Sequence, residues 1–417
     1  MKRNLSVLCG AVVFLISSNV FSAPNNSTQL DIQLQQAVDN YLHLYAKQEK
    51  FTAIEASVLI PRDKGIDVRD IKNFSAGTMG NAPFLQKITT NDLFDIGSIT
   101  KSFVTVLILQ LHTQQKLSLD DPLGKWLPQY TQWSKVTLRQ LLNMTSGIPN
   151  YSEDSGFEKK MEANWTYVWT DEELLSYAHP EKPIKIDEKN LFSYSNSNYI
   201  LAAMVIEKVT NDSFSHQLEL LFKQGNLDNS FYLAGDQADV TKKKISNRLT
   251  HGYGYDESTN KLIDTFEGNL SWAGAAGAIV ANTENVIRWV QLLYHGTLIE
   301  ARYREDSLAA METLVSMKTG RPIPSVSEED PAGFGLGVGA YYDKATKQKF
   351  WVYQGSTLGF RFMYFWNPCN GVTTAVALNS KAGEGAPGSK MGNHILQANL
   401  LLHEIIMKNH VELQCEL

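Results

Sequence analysis

Apolar residues recur at helical spacing at Leu30, Leu34, Ala37, Val38, Tyr41 and Tyr45, which predicts an amphipathic helix early in the chain. Residues 51–60 and 71–76 then read as strands. Residues 93–108 form a short extended run, a glycine and an apolar helix, with Ser98 in the helix's first turn. From there to about residue 300 the spacing is mostly helical, as in 136–144, 171–178, 199–209 and 284–294. A further helical run covers 308–317. The last quarter changes to short strand-like runs at 334–342, 349–354, 361–366 and 372–378, separated by Gly, Asn and Pro turns. Asn370-Gly371 is a hairpin signal, and a closing helix spans roughly 391–407. Strands at both ends with helices between them predict an α/β fold whose one sheet is built from distant parts of the chain.

Composition sharpens this picture. The chain has 417 residues, 43% hydrophobic and 20% charged, enough apolar material for a sizeable core. Its formal net charge is -6 with no long basic run, which gives nucleic acid no footprint. Residues 1–22 carry the three parts of a secretory signal: Lys2 and Arg3, an apolar stretch from Leu5 to Ile16, and Val20 and Ser22 before cleavage. No later segment is long and apolar enough to span a membrane, so the mature protein is expected to be periplasmic or secreted. Cys9 leaves with the signal. Cys369 and Cys415 remain, and in an oxidising compartment they can pair or stay as two thiols.

The candidate chemistry starts at Ser98-Ile99-Thr100-Lys101. Residues three apart on a helix share a face, so Ser98 and Lys101 project side by side. Apolar neighbours desolvate Lys101, and burial disfavours its charged form, which suits a proton acceptor. A second copy, Ser258-Thr259-Asn260-Lys261, lies in a polar turn-rich stretch with no helix to follow. Tyr194-Ser195-Asn196 sits in a polar loop that enters an apolar helix. A tyrosine there could pass the serine proton to a leaving group, and the asparagine could hold Lys101 and a substrate amide.

Together these elements resemble the serine β-lactamase and DD-peptidase superfamily, in its class C-like branch with penicillin-binding proteins and carboxylesterases. The likeness extends to Lys116-Leu117-Ser118-Leu119-Asp120-Asp121-Pro122, to Thr145-Ser146-Gly147-Ile148-Pro149, to Gly274-Ala275-Ala276-Gly277 and to Phe334-Gly335-Leu336-Gly337. It implies a β-lactamase/transpeptidase-like fold: an antiparallel sheet of five or more strands, flanked by N- and C-terminal helices, with a mostly helical insert. The expected division is a sheet domain of residues 23–97 plus 301–417 and a helical domain of 98–300, with the active site between them. The resemblance implies no cofactor.

The third family element, a Lys or His followed by any residue and Gly on an edge strand, is where this chain departs. Lys318-Thr319-Gly320 matches literally but leads into Arg321-Pro322-Ile323-Pro324, which reads as a loop rather than a ladder strand. Tyr353-Gln354-Gly355-Ser356 is better placed, with Tyr353 where the family has its cation. By resemblance, Gly355 lets substrate lie against the strand, and the N–H groups of Ser98 and Ser356 form an oxyanion hole. A neutral phenol cannot dock a carboxylate, which favours neutral esters or small amides; Arg361 is the nearest cation that could replace it.

Other chemistries are not supported. The nine histidines show no metal-ligand spacing, Gly335-x-Gly337-x-Gly339 enters a strand rather than a helix, and there is no Gly-x-Ser-x-Gly elbow. The expected function is an exported serine hydrolase forming an acyl-enzyme on Ser98, with Lys101 and Tyr194 moving the proton. Two alternatives stand beside it. One is a D-alanyl-D-alanine carboxypeptidase or weak β-lactamase; the other is a silent relative that binds cell-wall peptides or a protein partner.

Overall fold

The computed structural model describes residues 26–61, 70–256, 259–381 and 393–415. The expected signal at 1–22 and Ser258 of the second Ser-x-x-Lys lie outside them.

A nine-stranded antiparallel sheet forms the centre of the fold. Its order runs Ile71–Gly77, Ala53–Leu59, Thr373–Leu378, Arg361–Trp366, Gln348–Ser356, Gly339–Asp343, Ala332–Phe334, Leu314–Ser316 and Pro322–Ile323. Both ends of the chain therefore supply one sheet. The period of two decides which residues meet which layer. Met363 and Phe365 face the layer formed by helices Asn26–Glu49 and Ile395–Asn409, against Leu34, Val38 and Leu402. Phe362, Tyr364 and Trp366 face the opposite layer, which holds helices Thr100–Thr113 and Thr283–Tyr294. Helix Thr100–Thr113 is buried without interruption from Thr100 to Leu109, its polar Thr100, Lys101, Ser102 and Thr105 included.

Three expectations change. The run 334–342 is two strands, Ala332–Phe334 and Gly339–Asp343, paired as a hairpin. Gly337, at φ +69°, makes the turn, and a Cβ on Gly335 would lie 2.2 Å from the Met311 carbonyl oxygen. The helical run 308–317 ends at Glu312, after which Leu314–Ser316 joins the sheet. Pro322–Ile323 does pair, as the outermost strand, where a missing N–H leaves no ladder bond unmade. Lys318-Thr319-Gly320 is the turn between these strands, with Lys318 exposed.

Short pieces also build a three-stranded sheet from Phe94–Asp95, Ile279–Ala281 and Ser230–Tyr232. It aims the segment entering Ser98. Cys369 and Cys415 are bonded, joining the tail to the Asn370-Gly371 hairpin.

Candidate active site

Ser98 sits on a 3-10 turn, Gly97–Ile99, that runs directly into helix Thr100–Thr113. The strand carrying Tyr353 ends against this turn. A Cβ on Gly355 would lie 1.8 Å from the Ile96 carbonyl oxygen and 2.9 Å from the Ser98 nitrogen. A Cβ on Gly97 would lie 2.5 Å from the Ser356 nitrogen, and Gly97 has φ +50°. Two glycines thus let the backbones of Ser98 and Ser356 approach closely. Gly355 serves that approach of protein to protein.

Lys101 is fully buried, and its Nζ has three neighbours. These are Ser98 Oγ at 3.1 Å, Asn196 Oδ1 at 2.8 Å and the Ala276 carbonyl oxygen at 2.7 Å. Burial lowers its pKa from the ordinary lysine value, against the opposing pull of Tyr194. As a neutral amine it would donate to the two fixed oxygens and keep its lone pair for the Ser98 hydroxyl. Ala276 belongs to the one-turn helix Gly274–Gly277, which explains why that small-residue motif accompanies the serine motif.

Tyr194 donates from its hydroxyl to Ser98 Oγ at 2.7 Å. Its loop is pinned from below: the Ser193 N–H donates to the Met144 carbonyl, and the Ser195 and Ser197 hydroxyls both donate to the Pro149 carbonyl. The Thr145-Ser146-Gly147-Ile148-Pro149 stretch is thus the seat of the tyrosine. Asn196 reaches Lys101 as expected, while its Nδ2 donates to Ser152 Oγ at 2.9 Å.

Tyr353 stands behind Tyr194, with the two hydroxyl oxygens 3.4 Å apart. It packs edge-on to Phe334, and burial pushes its pKa up, so it stays a neutral phenol. Arg361 is a correction. Its side chain is fully buried, donating to Glu49 at 2.8 Å and to the Ser380 carbonyl at 2.9 Å. A guanidinium fully buried against Glu49, Asn393 and Ser380 does not reach the cleft.

These groups open into a cleft of about 1010 Å³. Phe157, Met161, Trp272, Phe334 and Leu358 give it apolar walls, and Glu153, Glu158 and Lys381 bring charge to its lining. Sequence reasoning missed Lys381, Ser152 and the Ala276 carbonyl. Only the last left a trace, in the Gly-Ala-Ala-Gly motif. Ser98, Lys101, Tyr194, Asn196, Tyr353, Gly355 and Ser356 come together; Arg361 does not join them.

The Beta-lactamase family model matches residues 69–397. Penicillin-binding protein 4* of Bacillus subtilis (strain 168) is 28% identical over 254 residues, 56% of this chain and 52% of that protein. Protein flp of Staphylococcus aureus (strain MRSA252) is 27% identical over 215 residues, 49% of this chain and 39% of its own length. The chain thus spans about half the length, or less, of these curated relatives. Among solved structures, a D-stereospecific amidohydrolase from Streptomyces sp. superposes with a TM-score of 0.66 at 25% identity, covering 84% of this chain and 94% of that one. The D-amino acid amidase from Ochrobactrum anthropi SV3 complexed with D-phenylalanine gives 0.72 at 19%, covering 91% and 99%.

Proposed function

The chain belongs to the Beta-lactamase family, and on that premise we propose a serine hydrolase that acylates Ser98 and cleaves a small amide or ester with an uncharged leaving end. The observation that carries this reading is Ser98 Oγ held between Tyr194 Oη at 2.7 Å and Lys101 Nζ at 3.1 Å. Neutral Lys101 takes the Ser98 proton as Oγ attacks the carbonyl carbon. The N–H groups of Ser98 and Ser356 hold the developing oxyanion, an interaction worth about 3 kcal/mol per donor. Tyr194 gives its proton to the leaving group and recovers one from the Lys101 ammonium. Water then releases the acid by the reverse steps.

The substrate class follows from charge. Tyr353 is neutral where the family has a cation, and Arg361 is committed to Glu49. The likeness to an amidohydrolase supports amides as well as esters. The sheet half and the helical half are read as the two domains, since the cleft draws Ser98, Tyr194 and Trp272 from one and Phe334, Tyr353 and Ser356 from the other. Export is part of the same reading, and the Cys369–Cys415 bond supports an oxidising compartment. Among the described residues no helix is long and apolar enough to cross a membrane.

A second reading rests on Lys381. This exposed lysine lines the cleft and could receive a carboxylate, as a carboxypeptidase or penicillin-binding substrate requires. The test incubates the protein with a p-nitrophenyl ester, D- and L-phenylalanine amide and a fluorescent penicillin, each against Ser98→Ala. Serine-dependent turnover of ester or amide without penicillin labelling supports the first reading. Serine-dependent labelling that is lost in Lys381→Ala supports the second. No signal from any of them leaves the silent binder.

A further inference from the structure

Beside the catalytic cleft lies a second cavity, of about 250 Å³, whose lining includes none of Ser98, Lys101 and Tyr194. Trp272 and Leu358 line both spaces. The cavity is just below the roughly 300–1,000 Å³ of sites for drug-sized ligands, which limits an occupant to a small molecule.

Its chemistry is particular. Leu93, Leu233 and Leu249 give an apolar floor, and the rings of Trp165, Phe266 and Phe360 supply π faces. Set among them is Asp95, whose one hydrogen bond among the described residues comes from Thr357 Oγ1 at 2.9 Å. Burial pushes the Asp95 carboxyl up to about 7, the mark of an acid with too little compensation. Thr250 lines the same cavity. The one cation, Lys242, is tied to the Phe266 and Gly268 carbonyls at 2.6 and 2.9 Å. Asp239 and Glu267 are exposed members of the lining. Three carboxylates thus face one ammonium.

We propose that this cavity is a binding site for a small protonated primary amine with an apolar body. The ammonium sits against Asp95, and the body rests on the aromatic rings, where a cation is also favoured. The site touches both sides of the catalytic machinery. Asp95 lies three residues before Ser98 and Thr357 follows Ser356, so their hydrogen bond ties the two backbone segments that meet at Gly97 and Gly355. The inference does not rest on hydrolysis, since none of its groups is a reacting one.

Benzylamine is the probe, with benzyl alcohol as its uncharged counterpart, measured by titration calorimetry on the full chain. Benzylamine is expected to bind one to one, and benzyl alcohol at least tenfold more weakly. Asp95→Asn should weaken the amine at least tenfold. Ser98→Ala and the cleft variant Glu153→Gln/Glu158→Gln should bind within twofold of the parent. Unchanged affinity in a folded Asp95→Asn, loss in the cleft variant, or no binding by the parent overturns the proposal. Should Asp95→Asn not fold, crystals soaked in 4-bromobenzylamine decide it by anomalous scattering. A bromine peak within the cavity supports the site; a peak only in the cleft, or none, overturns it. Turnover of ester or amide by a protein that binds no amine would leave the hydrolase reading intact.

Discussion

Arg361 and Glu49 form an ion pair of 2.8 Å with both side chains fully buried, across 312 positions of sequence. Glu49 is the last residue of the first helix, and it also accepts from the backbone N–H of His394, just ahead of the closing helix. One carboxylate therefore fastens both helices of that layer to strand Arg361–Trp366. The pair is a structural clamp, and its removal should be felt in stability before catalysis.

Removing one partner of a buried pair strands the other charge, a loss of about 3–5 kcal/mol. Arg361→Met should lower the unfolding free energy by that order, read as a fall in the denaturant midpoint. Where folded protein is recovered, the KM for an ester should stay within about twofold of the parent. A KM that rises sharply with unchanged stability would return Arg361 to substrate binding.

Gly355→Ala tests the meeting of the two backbones. A methyl group 1.8 Å from the Ile96 carbonyl oxygen cannot be accommodated without moving the strand end. The shift parts Ser356 from Ser98, and losing one oxyanion donor costs about 10²–10³ in kcat. Steady-state kinetics should show kcat falling far more than KM rises. An unchanged kcat would remove Ser356 from the oxyanion hole.

Tyr353→Phe removes the hydroxyl 3.4 Å from Tyr194 and nothing else. A neutral hydrogen bond nets about 1 kcal/mol, so kcat/KM for a neutral ester should fall by less than about tenfold. A loss comparable to that of Tyr194→Phe would mean that Tyr353 itself moves the proton.

Much of this was legible because periodic residues make periodic elements. Arg361–Trp366 alternates its two faces as a strand must, and Ser98, Lys101 and Tyr194 meet as their motifs imply. What stayed hidden has physical reasons. Strands of two or three residues, such as Phe94–Asp95 and Ile279–Ala281, are too short to show a period. The Ala276 carbonyl that holds Lys101 is backbone, so no side chain announces it. Arg361 reads as a strand residue near the site because its partner, Glu49, is distant in sequence. Lys381 gives no signal until the fold brings it to the cleft.

The pH dependence of turnover follows from Lys101. Its neutral form is the base, and burial lowers its pKa from 10.5. Activity should therefore rise with pH through an inflection below 10.5 and level off above it. Lys101→Arg, which cannot give up its proton, should lose that rising limb along with at least about a hundredfold in kcat/KM. An unshifted limb in the arginine variant would assign the base to another group.

Stability should carry two opposed slopes. His403 is buried against Phe350 and accepts from Asn367 Nδ2 at Nε2, and burial lowers its pKa from 6.5 to about 4. Between those values the unfolded chain binds a proton that the native state refuses, so this group makes the fold less stable as pH falls from 6.5 toward 4. Asp95 acts the other way. Its pKa rises from 3.8 to about 7, so the native state keeps a proton that the unfolded chain has released. Its contribution is full below 3.8 and is lost as pH rises through 7. Urea unfolding at pH 4.5, 5.5, 6.5 and 7.5 separates the two. Both slopes act between about 4 and 6.5 and offset in the parent, so Asp95→Asn should leave a stability that falls toward acid, and His403→Gln one that falls toward neutral pH. An unchanged profile in either variant would remove that group from the balance.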